Sequence, residues 1–97
     1  MNLRDLQYLV TLAETRHFSR AAQRCHVSQP TLSAQLKKLE QYLGVALIER
    51  QPRHVTLTAA GTAVVERARR MLRDAEDIRA LTRARQDPLG GQLKIGL

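Results

Sequence analysis

The sequence has one cysteine, no tryptophan and only 3% aromatic residues in a length of 97. A single cysteine excludes a disulfide framework, or a multi-cysteine metal site, made by this chain alone. No apolar run approaches the roughly 20 residues that cross a bilayer, and the N-terminus lacks the apolar stretch of a signal peptide. Because aromatic residues are scarce, aliphatic residues must build the core, which favours helices over sheets. We therefore expect a soluble, mainly α protein in a reducing cytoplasm.

Catalytic motifs are missing too, whereas positive charge is abundant. The sequence has no Ser-His-Asp arrangement and no glycine-rich phosphate loop, and its three histidines stand at spacings unrelated to those of zinc ligands. We expect no enzyme, no metal site and no cofactor. The 16 Lys and Arg outnumber the 9 Asp and Glu and give a net charge of +7. This excess points first to nucleic acid as the partner.

Two helices are predicted at the start of the chain. Asn2 with Asp5 three residues later is a plausible N-terminal cap. The apolar stripe that follows has helical spacing and consists of Leu3, Leu6, Val10 and Ala13. A shorter second helix is expected to begin with Ser19 as its N-cap and to run to Cys25, before a tight turn at 26–28. Cys25 is interpreted as a small core residue, since free cysteine packs as a hydrophobe.

A third helix is predicted to follow at once. Ser28 is its candidate N-cap, and Pro30 lies in the first turn, where its missing N–H costs no hydrogen bond. Gly44 is a natural stop. The apolar stripe between them is Leu32, Leu36, Leu39 and Leu43.

Beyond the third helix the period changes. Residues 45–57 alternate around a turn-like centre at 51–53 and predict a two-stranded hairpin, or wing, that completes a domain over 1–58. Thr58 then caps a proline-free helix over 59–86, too long for so small a domain to bury. One side of it has coiled-coil spacing and predicts a dimerisation seam of Val64, Ala68, Met71, Ala75 and Ile78.

The last segment, 87–97, opens with a Pro and Gly cluster and ends in an alternating apolar pattern. We interpret it as a hinge followed by the first strand of an absent regulatory domain.

Two short helices joined by a tight turn describe a helix-turn-helix. The third helix carries polar side chains on the side expected to face solvent, namely Gln29, Thr31, Ser33, Gln35 and Lys37. Glutamine can pair bidentately with adenine, and the ring of Pro30 can touch a thymine methyl group. The alternative is a polar face that only keeps the domain soluble. Positive charge for phosphates is supplied around the motif by Arg16, Arg20, Arg24, Lys37, Lys38, Arg50 and Arg53.

Several spaced segments together resemble the N-terminal domain of LysR-type bacterial transcriptional regulators. They are Phe18-Ser19-Arg20-Ala21-Ala22, Val27-Ser28-Gln29-Pro30-Thr31-Leu32-Ser33, Leu39-Glu40, Leu43-Gly44, Arg50, Arg53, Leu57-Thr58 and Ala60-Gly61. The resemblance covers essentially the whole chain. Within the family, the first ten residues and residues 25–33 are most similar to the peroxide-sensing subgroup.

The resemblance implies a winged helix-turn-helix followed by a linker helix that pairs antiparallel with its twin. It implies base contacts in the major groove for Gln29, Pro30 and Ser33, phosphate contacts for Thr31 and Arg50, and a minor-groove contact for Arg53. The full set expected at phosphates or in the minor groove is Arg4, Ser19, Thr31, Gln35, Lys37, Lys38, Arg50 and Arg53. The expected partners are pseudo-palindromic double-stranded DNA and a second copy of the chain, with a tetramer and a contact to RNA polymerase expected for the whole regulator.

Two positions depart from the family pattern. The pair Leu47-Ile48 stands where many members have Leu-Phe, which affects packing under the wing, and Ala34 stands where many carry a basic residue that can contact a base. Two other functions remain open. One is a LysR-type regulator that responds to a small metabolite, and the other is a basic module whose seam pairs with a different protein and whose charge is incidental.

Overall fold

The computed structural model describes residues 1–86 and shows three helices, a two-stranded hairpin and one long helix. The elements are α1 (Leu3–Thr15), α2 (Phe18–Cys25), α3 (Gln29–Leu43), β1 (Ile48–Arg50), β2 (Val55–Leu57) and α4 (Ala59–Gln86). The predicted winged helix-turn-helix with a long final helix is thus confirmed. The hinge and strand expected over 87–97 lie outside the described residues. Within the part described, no helix is both long enough and apolar enough to cross a membrane.

Most helix ends lie where the sequence predicts them. Asn2 accepts a hydrogen bond from the Asp5 N–H at 2.9 Å, and the Asp5 side chain accepts one in return from the Asn2 N–H at 3.2 Å. Ser28 caps α3 through the Thr31 N–H at 3.2 Å. At the far end of α3, Gly44 adopts a left-handed conformation with φ 74°, which glycine reaches without steric cost.

The predicted cap of α2 is wrong by two residues. This helix begins at Phe18 and has His17 as its N-cap, so Ser19 lies inside the first turn. The cause is the turn before it, because α1 ends at Arg16 in a left-handed conformation, with its N–H bonded to the Leu12 carbonyl at 2.7 Å. This turn returns the chain to a helix after a single extended residue.

The core surrounds α1, which packs against α2, α3, β2 and α4. Ala21 and Ala22 of α2 are buried where the helices approach closely. The largest fully buried side chains are leucines from α1, α3 and the wing entrance, namely Leu9, Leu12, Leu32, Leu36, Leu39 and Leu47. The pair Leu47-Ile48 is buried beneath the wing, with 0% and 8% of its surface exposed. Two aliphatic side chains therefore fill the space under the wing.

The long helix α4 divides its apolar side chains between two surfaces. Val65 and Ala68 are buried in the core of the domain, and Val64 packs against that core. The inclusion of Ala68 in a dimer seam is therefore wrong, because only 1% of its surface is exposed within one chain. Met71 and Ile78 are instead 45% and 61% exposed. The first turns of α4 lie against α1, and the later turns extend past it.

The wing is anchored at both ends by hydrogen bonds from outside the hairpin. Strands β1 and β2 pair antiparallel with Arg50 opposite Val55, and the Val55 N–H donates to the Arg16 carbonyl at 3.0 Å. At the entrance, one carboxylate oxygen of Glu40 accepts the N–H groups of Leu47 at 2.7 Å and Ile48 at 3.2 Å. Glu40 thus ties the end of α3 to the start of the wing, a role that the sequence pattern does not reveal.

Close packing also fixes the junction between the wing and α4. The Thr58 hydroxyl donates to the Ala46 carbonyl at 2.7 Å and accepts the Gly61 N–H at 2.9 Å. The Thr58 N–H donates to the Leu47 carbonyl at 3.0 Å. A Cβ placed on Gly61 would overlap that carbonyl oxygen and lie 2.9 Å from its carbon. Glycine is therefore required for α4 to begin directly against the wing.

Removal of the Glu40 carboxylate should loosen the wing. We expect Glu40→Ala to lower the free energy of unfolding by about 1–3 kcal/mol, because two partly buried N–H groups lose their charged acceptor. Urea unfolding measures the change, with Glu49→Ala, which removes an exposed carboxylate of β1, as the matched control. Equal stabilities of the two variants would show that Glu40 does not anchor the wing.

Candidate nucleic-acid interface

The outer side of α3 presents two rows of side chains. Gln29, Ser33 and Lys37 follow one another at four-residue steps, so they share one edge of the helix. Thr31 and Lys38, seven residues apart, share the other edge. Gln29 and both lysines are exposed, and Ser33 is half-buried. The leucines of α3 are buried on the opposite side, which leaves these rows free to meet a ligand as one surface.

The first turn of α3 is ordered by its own side chains. The Ser28 hydroxyl donates to the Thr31 hydroxyl at 2.9 Å, while it accepts the Thr31 N–H. The Thr31 hydroxyl therefore keeps its own hydrogen for an outside acceptor such as a phosphate oxygen. Pro30 is exposed in the same turn and places an apolar ring beside these polar groups.

Gln35 lies at the border between the outer side of α3 and its buried face. It follows Leu32 by three residues and precedes Leu39 by four, so it flanks the buried face, and it is half-buried. A phosphate contact by Gln35 stays a prediction. Its half-buried side chain is less accessible to a phosphate than the exposed side chain of Lys38.

A crevice separates the start of α3 from the wing. It is lined by Arg16, His17, Phe18, Ser19, Gln29 and the wing residues 50–55. Gln29, Ser19, Arg50 and Arg53, which are far apart in the sequence, thus share one surface. All four are exposed, and Arg53 lies at the hairpin tip. The surface joins hydrogen-bonding groups of α3 to guanidinium groups of the wing.

An aromatic ring lies under one of those guanidinium groups. The Cζ atom of Arg50 is 5.1 Å from the centroid of the Phe18 ring, a distance at which a cation is attracted to the ring face. Phe18 is half-buried and packs against the core. In the sequence, Phe18 stands out only as part of the family resemblance. No local pattern shows that Arg50, 32 positions later, packs against its ring.

Two of the basic residues expected near phosphates, Arg4 and Arg24, lie outside the wing crevice. Arg24 pairs with Glu14 at 3.0 Å, and the same carboxylate pairs with Arg69 of α4 at 3.4 Å. The charge of Arg24 is therefore partly balanced. Arg4 lines a different groove, between α1 and α4, and does not join the wing crevice. A phosphate contact by Arg4 stays a prediction about a second region of the surface.

The cysteine and histidines take structural positions. Cys25 is half-buried and packs against the core, as the sequence indicates. His17 precedes α2, and His26 ends it in a left-handed conformation with φ 60°. No group of three or more His, Cys, Asp or Glu side chains that could hold a metal ion occurs within residues 1–86.

Comparisons with known proteins agree with this geometry. A family model described as "Bacterial regulatory helix-turn-helix protein, lysR family" matches residues 3–62. A hydrogen peroxide-inducible genes activator of Pectobacterium carotovorum subsp. carotovorum is 54% identical over 97 residues, which cover 100% of this chain and 32% of that protein. This chain therefore spans about a third of the length of that relative.

Solved structures show the same arrangement of elements. Full-length OxyR from Pseudomonas aeruginosa matches with a TM-score of 0.87 and 50% identity, over 92% of this chain and 30% of that one. The CbnR DNA-binding domain, in a crystal structure of its complex with DNA, matches with a TM-score of 0.81 and 45% identity, over 87% of this chain and 97% of that one. The chain belongs to the LysR family of bacterial regulatory helix-turn-helix proteins.

Proposed function

We propose that the chain is the sequence-reading unit of a dimeric bacterial transcription regulator. In this proposal α3 enters a major groove of double-stranded DNA, and the wing lies over the flanking minor groove. The observation that carries the proposal is the shared surface of Gln29 on α3 with Arg50 and Arg53 on the wing. A helix edge and a hairpin tip side by side suit two adjacent grooves of one duplex.

The side chains divide into those that select a sequence and those that provide affinity. Gln29, Pro30 and Ser33 are proposed to contact bases, because a glutamine amide, an apolar ring and a hydroxyl are groups that distinguish base edges. Because the side chain of Ala34 is short, the base contacts are assigned to these three residues. The residues proposed at phosphates or in the minor groove are Ser19, Thr31, Lys37, Lys38, Arg50 and Arg53, with Arg4 and Gln35 at the margins. Their contacts release counterions and give salt-dependent binding.

The later turns of α4 are proposed to pair with a second copy of the chain. Met71 and Ile78 are one heptad apart, Leu81 follows three residues later, and all three are exposed. Val64 and Ala75, also expected in the seam, lie beside this stripe and are half-buried. Two paired α4 helices would hold two copies of α3 at a fixed spacing, which matches a pseudo-palindromic site.

The whole regulator is proposed to act in the peroxide response in the bacterial cytoplasm. Support comes from the name of the relative that is 54% identical over this entire chain. A tetramer and a contact to RNA polymerase belong to the same proposal.

Base selection and phosphate affinity should separate on substitution. We expect Gln29→Ala to reduce the difference in binding free energy between specific and random DNA by roughly 1–3 kcal/mol per half-site, since a bidentate base contact is lost. Arg50→Ala should weaken binding to both DNAs alike. The slope of the logarithm of the binding constant against the logarithm of salt concentration should fall in magnitude by about one per half-site. Fluorescence anisotropy at several salt concentrations measures both effects.

Matched controls for these variants are Gln7→Ala, on the exposed side of α1 and outside the wing crevice, and Arg70→Ala on the exposed side of α4. Neither should change the preference between the two DNAs. Gln29→Ala with an unchanged preference would remove Gln29 from the reading surface.

A charge in the α4 stripe should separate the copies. We expect Ile78→Glu to raise the dimer dissociation constant of the 97-residue chain at least about tenfold, because pairing would bury an uncompensated carboxylate. Ala80→Glu places the same charge on the far side of the helix and should leave the dimer intact. Sedimentation equilibrium compares them, and equal dissociation constants would show that the exposed stripe is not the dimer contact.

The peroxide assignment is tested through the DNA sites themselves. Duplexes selected from a random library by the 97-residue chain should contain an inverted repeat. Matches to this repeat in the source genome should lie upstream of transcripts that rise when cells are exposed to hydrogen peroxide. Sites placed instead upstream of genes that respond to a small metabolite would favour the alternative regulator and leave DNA binding in place.

A further inference from the structure

The contact between Phe18 and Arg50 joins the start of α2 to the end of β1. Arg50 is the last residue of β1 and stands opposite Val55, whose N–H is bonded to the Arg16 carbonyl at 3.0 Å. Phe18 begins α2 only two residues after Arg16. The wing is therefore held to the α1–α2 turn by a backbone hydrogen bond and, alongside it, by the guanidinium group over the Phe18 ring.

Arg50 is exposed, and no carboxylate in the described part of the chain pairs with its guanidinium group. Within residues 1–86, the ion pairs involve Glu14 and Glu76, and none includes Arg50. An arginine on a free surface samples many rotamers, and ordering it opposes binding. A ring face beneath the cation restricts these rotamers while leaving its N–H donors free at the edge of the guanidinium plane.

We infer that Phe18 is a positioning residue for DNA binding, which holds Arg50 at the mouth of the wing crevice in the orientation that meets a phosphate. The inference rests on the proposed function. Phe18 is the only phenylalanine in the chain, and leucine is the residue that supplies most of the apolar volume elsewhere in the core. What leucine cannot supply is the electron-rich ring face that attracts a cation.

A double-mutant cycle tests this role. The four proteins are the unchanged chain, Phe18→Leu, Arg50→Ala and the double variant, with Phe18→Tyr as the conservative rescue. We expect Phe18→Leu to weaken binding to a specific duplex about 3- to 10-fold, in the range of a partly desolvated cation–π contact. Phe18→Tyr should bind like the unchanged chain. In the Arg50→Ala background, Phe18→Leu should have no further effect on the dissociation constant.

Two outcomes of the cycle overturn the inference. One is that the Phe18→Leu and Arg50→Ala effects multiply, which would make the two residues independent. The other is that tyrosine weakens binding as much as leucine, which would make phenylalanine a packing residue only. Failure of the proposed function looks different, because the unchanged chain would then bind specific and random duplexes equally.

A measurement on the free protein keeps the inference testable if Phe18→Leu is poorly folded. NMR of the unchanged chain should show upfield ring-current shifts of the Arg50 δ protons, and Phe18→Tyr should retain them. Shifts at ordinary exposed-arginine values in both proteins would overturn the proposed orientation before any DNA is added.

Discussion

Burial of the leucines around α1 is the constraint on which the rest of the structure depends. Leu9 and Leu12 are completely buried, and α1 packs against both helices of the helix-turn-helix, against β2 and against the first turns of α4. With a single phenylalanine and no tryptophan, the domain obtains its packing from many aliphatic side chains whose burial contributes roughly 1.5–3 kcal/mol each. The reading helix, the wing and the linker helix therefore hold fixed positions because they share one core.

Hydrogen bonds then convert this core into a defined surface. Glu40 binds the start of the wing, and the Arg16 carbonyl binds its second strand. These two attachments place the hairpin tip beside the first turn of α3. The ion pairs of Glu14 with Arg24 and Arg69 also link α1, α2 and α4, but exposed pairs of this kind contribute little to stability. Buried contacts and anchored N–H groups, rather than surface charge, determine the geometry of the interface.

Local signals in the sequence were sufficient wherever a structural feature depends on neighbouring residues. Asn2 with Asp5, Ser28 with Pro30, Gly44 and Thr58 predicted helix ends correctly, because caps involve groups three or four residues apart. Ser19 was assigned wrongly, since the beginning of α2 depends on the left-handed turn at Arg16. The α4 seam was assigned only in part, because periodicity identifies an apolar face without saying which protein covers it.

The sequence by itself determined the fold class, the reading helix and the resemblance that places the chain in its family. Amphipathic spacing, caps and charge are properties of short segments, so they can be predicted from the sequence without a structure. Only the tertiary structure decided that Ala68 belongs to the core, that Glu40 anchors the wing and that Arg50 lies over Phe18. Each of these depends on residues that are distant in the chain and become neighbours only when the elements pack around α1.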